Sequence, residues 1–173
     1  HSLGFGPMNG LIMGTRSGDI DQSVIFHMID ELGYSVDEVK SLLQEKSGML
    51  GLTGFSDLRE IETAASQGDE ACNLALKMNA YRVKKYIGAD TAAMNGLDAL
   101  VFTAGIGENS DLIRSLICAD MEFFGIHLDE DKNRVREHSI REIQTDGAEV
   151  SLLVVPTNEE LEIAKQSFGL LSS

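Results

Sequence analysis

Residues 99–117 read ALVFTAGIGENSDLIRSLI, an apolar run, a glycine-rich turn and then an amphipathic pattern. The run at residues 99–103 shows no polar alternation, which is typical of a strand buried on both faces. Beyond the turn, apolar residues recur at helical spacing, at Leu112, Ile113, Leu116, Ile117 and Met121. The stretch therefore predicts a buried strand that passes through a tight turn into a helix.

The C-terminal part repeats this order of strand and helix. Residues 152–155 are strongly apolar and stop at a proline, which predicts a second buried strand. A helix through Phe168 is then expected, with Asn158 as its cap. Weaker strand patterns lie at residues 126–128 and 141–145. Strands that alternate with helices predict an α/β domain.

Residues 21–88 carry helical patterns instead. Asp21 is placed to cap a first helix. Ser35 and Glu38 have the capping-box spacing of a second helix, which Gly48 is expected to end. We therefore predict a helix-rich insertion over about residues 21–88.

Two more helices are predicted within this region. A loop at residues 51–57 leads into a helix that begins near Leu58, and the longest helix runs from Asp69 to Ile87. The buried stripe of the longest helix is predicted from apolar spacing to be Ala71, Leu74, Ala75, Met78 and Tyr81.

Composition and charge narrow the classes of function. The chain has 173 residues, of which 43% are hydrophobic and 24% charged, as in one soluble domain. Its net charge of −14 disfavours nucleic acid, which proteins bind through Lys and Arg. No apolar run approaches the roughly 20 residues of a membrane span. We therefore expect neither nucleic acid nor a membrane as a partner.

The cysteines bear on the cellular compartment of the protein, and the first residue bears on whether this chain is part of a longer one. Cys72 and Cys118 lie in helical patterns without a C-x-x-C pair, which favours buried free thiols in a reducing cytosol. The chain begins with His1 and shows no signal-peptide pattern. We expect a cytoplasmic protein, and we expect this chain to be part of a longer one.

The first candidate site is the turn formed by Gly105, Ile106, Gly107, Glu108 and Asn109. Glycine lets the backbone approach a ligand, and the following helix is expected to direct N–H groups toward it. The turn lacks the third glycine of a dinucleotide fingerprint and the Gly-Lys of a Walker loop. From these residues alone, a nucleotide or phosphate site and a plain strand-to-helix turn both stay open.

The second candidate site is Gly-Thr-Arg-Ser-Gly-Asp-Ile-Asp at residues 14–21. A phosphoryl group in transfer spreads negative charge over its oxygens, and a guanidinium fork can stabilise that charge. Arg16 is therefore a candidate catalytic residue. The alternative is a structural ion pair between Arg16 and either Asp19 or Asp21.

The third candidate site is Pro-Thr-Asn-Glu-Glu at residues 156–160, after the second predicted strand. Ligands of open α/β sheets gather at the carboxyl ends of strands, where a carboxylate can help to hold Mg²⁺. The alternative is that the glutamates complement the dipole of a helix. Ser-Asp-Leu-Arg at residues 56–59 is a weaker candidate.

These four segments follow the order found in acetate kinases. Over essentially its whole length, the chain resembles the acetate kinase family of the acetate/sugar kinase, Hsp70 and actin superfamily. The resemblance implies an actin-like ATPase (ribonuclease H-like) α/β fold. It also implies that residues 1–173 are a C-terminal nucleotide-binding domain with a helical insertion. The implied reaction is reversible transfer of the γ-phosphoryl group of ATP to acetate, giving acetyl phosphate and ADP.

The resemblance also implies a role for individual residues. Arg16 would contact the transferring phosphoryl group and the carboxylate substrate, and Pro7 would line the acyl pocket. Glu159 matches the carboxylate that helps to place Mg²⁺. The residues implied to bind the nucleotide are Asp57, Leu58, Arg59, Gly105, Ile106, Gly107, Glu108 and Asn109.

The resemblance further implies a homodimer formed through this domain. It also implies an N-terminal lobe, not matched here, that carries the phosphate loop, a further arginine, an aspartate and a histidine. We therefore expect this chain to be inactive by itself. A kinase for propionate or another short-chain carboxylate is an alternative, because that lobe shares the acyl pocket. A non-catalytic nucleotide-binding or dimerisation module is another.

Overall fold

The structure is a computed structural model that describes residues 4–171, except the side chains of Glu159 and Glu160. The chain divides into two compact units, His1–Met94 and Asn95–Ser173. The first unit is helical in its described part, and the second combines helices with a sheet, so the chain is of the predicted α/β class. Among the described residues, no helix combines the length and apolarity needed to cross a membrane.

Helices make up the regular structure of the first unit. Their bounds are α1 Ser23–Asp30, α2 Val36–Glu45, α3 Gly48–Thr53, α4 Leu58–Ser66 and α5 Glu70–Met94. The capping box of α2 is confirmed, because Ser35 accepts from the Glu38 N–H and the Glu38 carboxylate accepts from the Ser35 N–H. The predicted start of α4 at Leu58 is also confirmed, behind an Asp57 cap.

The prediction around Gly48 was wrong. The second helix ends at Glu45, and Gly48 begins α3, which occupies the first three residues of the expected loop at residues 51–57. Gly48 has a φ of +63°, a left-handed conformation that glycine adopts readily. Gly54, with a φ of +83°, then ends α3. A glycine marks a change of chain direction, but its position does not tell whether a helix ends or begins there.

The length of α5 exceeds the prediction. The helix begins one residue after Asp69 and continues past Ile87 to Met94. It includes Gly88 and ends where Asn95 takes a φ of +62°. An isolated glycine costs a helix only about 1 kcal/mol, and the alanines and the methionine that follow are good helix formers.

The buried face of α5 also differs from the prediction. Leu74, Met78 and Tyr81 are 59%, 37% and 64% exposed, and Ala75 alone of the predicted stripe is buried. The α5 residues that are buried are Cys72, Ala75, Leu76, Ala80 and Ile87. Apolar residues occur on several sides of this helix, and packing against α3 and α4 decides which side is covered.

The second unit contains a small mixed sheet. Its strands are β1 Ala99–Phe102, β2 Arg141–Glu142 and β3 Ser151–Val154, in the order β1-β3-β2. The first and third strands are parallel, with Phe102 opposite Val154, whereas β2 is antiparallel to β3. Since parallel strands end at the same edge, the segments after β1 and β3 emerge side by side.

The two main strand predictions are confirmed, but β1 is not buried on both faces. It is an edge strand of the described sheet, and Val101 is 49% exposed. The weak strand at residues 126–128 is reduced to a single bridge between Leu128 and Gln144. Phe102 of β1 and Leu152 and Val154 of β3 are buried, as is Ile143, which follows β2.

The described part of the second unit also contains α-helices. They are α6 Ala104–Asn109, α7 Asp111–Cys118, α8 Glu130–Arg134 and α9 Glu159–Leu171. The predicted cap of the last helix is confirmed, because the Asn158 side chain accepts from the Leu161 N–H at 2.9 Å. Both cysteines are buried thiols, as predicted, and burial raises the pKa of the Cys72 thiol.

The predicted glycine turn at residues 105–109 is a short helix, α6. Between it and α7, the buried Ser110 accepts from the Ile113 N–H at 3.0 Å. That N–H group of the first turn of α7 is therefore used within the chain. The reason is that Ser110 stands at the N-cap position, where a short hydroxyl side chain reaches this donor.

Candidate functional site

The backbone that carries Arg16 is hydrogen-bonded to the end of α2 and the start of α3. The bonds are Ser17 N–H to Leu43 O (3.0 Å), Ser47 N–H to Thr15 O (3.0 Å), Met49 N–H to Met13 O (2.9 Å) and Leu50 N–H to Gly14 O (2.8 Å). The Arg16 side chain itself is exposed and has no hydrogen bond or ion pair with another described residue. A fixed backbone thus presents an unpaired guanidinium to solvent.

Gly48 makes this arrangement possible. A Cβ atom at Gly48 would lie 2.2 Å from the Met13 carbonyl oxygen and 2.7 Å from that of Arg16. Gly14 is similarly close to the next candidate segment, since a Cβ there would lie 3.1 Å from the Ser56 carbonyl oxygen. The structure therefore brings the Arg16 segment beside residues 56–59.

Asp19 fastens the same segment to α5. Its carboxylate accepts from the Gly10 N–H (2.6 Å), from Asn9 (2.9 Å) and from the Tyr86 hydroxyl. Arg82 donates to the backbone oxygen of Asp19 at 3.0 Å. Burial acts to raise the pKa of Asp19, but the hydrogen bonds from Tyr86 and Gly10 and the charge of Arg82 leave the pKa below its usual value.

The structural ion pair considered for Arg16 is not found among the described residues. The Asp19 carboxylate is bonded to Gly10, Asn9 and Tyr86, and the Asp21 carboxylate accepts from the backbone N–H and the hydroxyl of Ser23. Pro7 is exposed, in the segment that leads to Gly10. These positions leave Arg16 and Pro7 accessible to a ligand.

Asp57 and Arg59 form an exposed pair at the start of α4. The Arg59 Nε atom donates to the Asp57 carboxylate at 3.0 Å, and the hydrogen bonds from Arg59 lower the pKa of Asp57 to about 2. The Arg59 side chain is 89% exposed, and Leu58 is half-buried. An open groove of about 380 Å³ lies beside this pair, lined by Phe55, Arg59, Glu60, Thr63, Ala64 and Gln67.

In the second unit, Glu108 joins α6 to the segment after β3. Its Oε1 atom accepts from the Thr157 N–H and from the Thr157 hydroxyl, both at 2.8 Å. Thr103, at the end of β1, donates through its hydroxyl to the Val155 oxygen at 2.9 Å. The structure thus brings together two segments that the sequence separates, residues 105–109 and 156–160.

We expect the Glu108–Thr157 contact to weaken in acid. The hydrogen bond from the Thr157 N–H lowers the pKa of Glu108 below its ordinary 4.5, so the contact stabilises the fold above that pH. Its contribution is lost as the pH falls through the lowered pKa. The Thr157 amide resonance, followed between about pH 3 and 6, should titrate with a midpoint below 4.5.

Glu108→Gln is the control for this titration, because it removes the ionisable group and keeps an amide oxygen as acceptor. The acid transition at the Thr157 amide should then disappear. A midpoint at or above 4.5 in the parent chain would contradict the depressed pKa.

The proposed metal ligand, Glu159, begins α9, but its side chain lies outside the described part of the structure. Among the side chains that are described, no group of three or more His, Cys, Asp or Glu residues could hold a metal ion. Mg²⁺ commonly binds one or two carboxylates together with substrate phosphates and water. A single carboxylate beside a nucleotide therefore fits this metal chemically.

Several residues that shape these sites escaped the sequence analysis. Tyr86 and Arg82 reach Asp19 from 67 and 63 residues away. Gly48 was interpreted as a helix terminator, and Arg114 as part of an amphipathic helix, although it is buried. The Gly-Thr-Arg segment pointed to the region, but no local signal identified the side chains that hold it.

Comparison with known proteins identifies the family. The profile of the Acetokinase family matches residues 1–165. The acetate kinase of Flavobacterium johnsoniae is 61% identical over 172 residues, which are 99% of this chain and 44% of that protein. The acetate kinase of Carboxydothermus hydrogenoformans is 51% identical, over 98% of this chain and 42% of its own length.

Solved structures agree with this result. The Porphyromonas gingivalis acetate kinase matches 98% of this chain and 43% of its own, with a TM-score of 0.90 and 45% identity. A Francisella tularensis propionate kinase matches 91% of this chain and 40% of its own, with a TM-score of 0.84 and 41% identity. The chain thus spans less than half the length of these relatives, and its fold is the expected actin-like ATPase fold. The family match covers nearly all of the sequence, and the chain belongs to the acetokinase family.

Proposed function

We propose that this chain supplies the nucleotide-binding half of a carboxylate kinase that transfers the γ-phosphoryl group of ATP to acetate. The observation that carries the proposal is the exposed guanidinium of Arg16, which has no partner among the described residues and stands on a backbone held by four hydrogen bonds. A rigidly mounted cation suits a phosphoryl group, whose charge grows on its oxygens during transfer. The acetate kinases and the propionate kinase among the relatives support a carboxylate as acceptor.

The proposed reaction needs no strong base. An acetate oxygen attacks the γ-phosphorus atom as the bond to the bridging oxygen breaks, so acetyl phosphate forms and ADP leaves with the bond electrons. The acceptor is already an anion, and catalysis depends on alignment and on neutralising charge. Arg16 would neutralise the phosphoryl oxygens, and Pro7 would line the acyl pocket. Glu159 would help to hold Mg²⁺, which neutralises the nucleotide phosphates when bound.

The resemblance assigns the two remaining candidate segments to nucleotide binding, and each is considered by itself. Asp57, Leu58 and Arg59 would contact the adenine and ribose, beside the open groove at the start of α4. The resemblance likewise assigns residues 105–109 to the nucleoside. The accessible positions of Arg59 and Ile106 support this assignment, since ligand-binding groups need a free surface.

The domain organisation implied by the resemblance is also proposed here. Residues 1–173 would form a C-terminal domain with a helical insertion over about residues 21–88. The unmatched lobe would carry the phosphate loop, so the chain is expected to be inactive by itself. We also propose that the protein acts in the cytoplasm. We further propose pairing with a second copy, supported by the exposed Leu74, Met78 and Tyr81 of α5. A single-chain molar mass in solution would contradict that pairing.

Nucleotide binding is tested by titration calorimetry of Mg-ADP into this chain. The parent should bind, and Gly105→Val should not, because the new side chain would occupy the space proposed for the nucleotide. A Cβ atom at Gly105 meets nothing within 4 Å, so the added side chain starts in open space. Gly169→Val is the matched control, since Gly169 is also helical, exposed and free of neighbours within 4 Å.

The outcomes of this titration are distinct. Absence of binding by the parent would contradict the nucleotide site in this chain. Equal binding by the parent and by Gly105→Val would place the nucleotide elsewhere. Loss of binding in both valine variants would show that the effect of Gly105→Val is not specific.

Phosphoryl transfer is tested in a fused kinase, in which the segment of the Flavobacterium johnsoniae acetate kinase that this chain does not match precedes the chain. Hydroxylamine trapping should detect acyl phosphate with the fused kinase and none with this chain alone. Acetate and propionate are compared as acceptors, because the Francisella relative is a propionate kinase. Nucleotide binding without acyl phosphate from either acid would favour a non-catalytic nucleotide-binding or dimerisation module.

A further inference from the structure

Arg114 of α7 is charged and yet buried, with 2% of its surface exposed. Burial lowers the pKa of its guanidinium, and the nearby charge of Arg141 lowers that pKa further. A buried charge is costly unless hydrogen bonds replace its water. The hydrogen bonds that Arg114 makes among the described residues all go to neutral acceptors.

One side of the Arg114 guanidinium holds α6. Its Nη1 atom donates to the carbonyl oxygens of Gly107 and Glu108, at 2.8 and 3.0 Å. These carbonyls belong to the last turn of a helix, where no intrahelical N–H group is available to them. A cation at the C-terminal end of a helix is also favoured by the helix dipole. Arg114, which belongs to the following helix α7, therefore caps the C-terminal end of α6.

The other side of the guanidinium is fixed by Asn133 of α8. The Nε atom donates to the Asn133 side-chain oxygen at 2.7 Å, and Nη2 donates to the Asn133 backbone oxygen at 2.8 Å. Asn133 is fully buried, and its own amide donates to the Asp111 oxygen and to the Ser115 hydroxyl at 3.0 Å each. Arg114 thus has little freedom to rotate away from α6.

We propose that Arg114 is a positioning residue for the nucleotide-binding segment, residues 105–109, which it holds in place through the Gly107 and Glu108 carbonyls. The inference rests on the proposed function for the identity of the ligand. The contact between Arg114 and the segment does not depend on the proposed function. Arg114 is not a catalytic residue, since it lies beneath the segment and is closed off from solvent.

The shape of the arginine side chain is essential to this role. A guanidinium is planar and presents donors in two directions at once, toward α6 and toward Asn133. Lysine keeps the charge but carries its donors on one nitrogen, which cannot bond to both sides. Arg141 adds one longer hydrogen bond, from its Nη2 atom to the Glu108 oxygen at 3.5 Å, and none to Gly107 among the described residues.

The test compares this chain with Arg114→Lys, and uses Arg134→Lys as the matched control. Arg134 is an exposed arginine of α8 that pairs with Asp131 at 3.4 Å. Amide hydrogen exchange, thermal unfolding and Mg-ADP calorimetry are measured for all three proteins. In Arg114→Lys, the amides of residues 104–109 should exchange about tenfold faster or more. The dissociation constant for ADP should rise about 10- to 100-fold, and Arg134→Lys should match the parent.

Two results would overturn the proposal. Unchanged exchange at residues 104–109 in a folded Arg114→Lys would show that the contact does not hold the segment. Acceleration spread evenly over the second unit, together with a large fall in Tm, would show a general structural role. If the parent does not bind ADP, the exchange measurement still decides whether Arg114 positions the segment, and the proposed function fails separately.

The parent chain provides a second measurement that does not depend on a variant folding. The buried, hydrogen-bonded guanidinium of Arg114 should give slowly exchanging N–H resonances at neutral pH. Saturating Mg-ADP should shift these resonances, because the guanidinium bonds directly to the segment that would contact the nucleotide. ADP binding without any shift at Arg114 would overturn the proposed link.

Discussion

Arg16→Ala should lower the turnover of the fused kinase by about 100- to 1,000-fold, or more, and leave its thermal stability almost unchanged. The Arg16 side chain is exposed and unpaired among the described residues, so its removal costs the fold little, within about 0.5 kcal/mol. The same guanidinium would neutralise the phosphoryl oxygens only during transfer. Its loss should therefore appear in kcat rather than in Tm.

The measurement is acyl phosphate formation at saturating ATP and acetate, with unfolding followed by circular dichroism. Arg134→Ala is the control, because it removes another exposed arginine that lies outside the candidate site. Arg16→Lys should retain part of the activity, since it keeps the charge but not the fork. Turnover within twofold of the parent for Arg16→Ala would exclude a catalytic role for this residue.

Gly48→Ala should destabilise the first unit strongly. The residue would have to adopt a φ of +63°, which costs an L-residue about 1–2 kcal/mol. Its Cβ atom would also meet the Met13 and Arg16 oxygens at 2.2 and 2.7 Å. Overpacking of this kind typically costs about 1–3 kcal/mol, and the backbone opposite is held by hydrogen bonds. A total of about 2–5 kcal/mol corresponds to a fall in Tm of roughly 4–20 °C.

Gly33→Ala separates the two causes. Gly33 has a φ of +74°, but a Cβ atom at this position would meet nothing within 4 Å, so alanine there brings backbone strain without a clash. Its fall in Tm should be clearly smaller than that of Gly48→Ala. Since Gly48 lies against the Arg16 backbone, turnover of the fused kinase should also fall more than the folded fraction explains. Equal effects of the two substitutions would contradict the close contact at Gly48.

Local features were predictable wherever the deciding contacts lie close in sequence. The Ser35–Glu38 capping box, the start of α4 at Leu58 and the Asn158 cap were all confirmed. Each depends on a side chain that reaches a backbone group two or three residues away. The strands at residues 99–102 and 151–154 were predictable for a similar reason, because an apolar run bounded by glycine or proline has few other solutions.

Features that depend on distant partners were not predictable from the residues themselves. The predicted buried face of α5 was wrong, since α3 and α4 decide which of its apolar sides is covered. The partners of Asp19 on α5 and the contacts of Arg114 with α6 and α8 also escaped the sequence analysis. No local periodicity reports a hydrogen bond between residues that are 67 positions apart.

From the amino-acid sequence alone, we could predict the α/β class, the two main strands, the Ser35–Glu38 capping box, the Asn158 cap and the resemblance that the family comparison confirmed. It also identified segments at residues 14–21, 56–59, 102–110 and 156–160 as candidate sites. The folded chain was needed to show that Arg16 is unpaired among the described residues, that Gly48 supports its backbone and that Glu108 bonds to Thr157. Helix capping and strand formation depend on interactions between residues that are close in sequence. Side-chain pairing and burial depend on which distant groups the folded chain brings together.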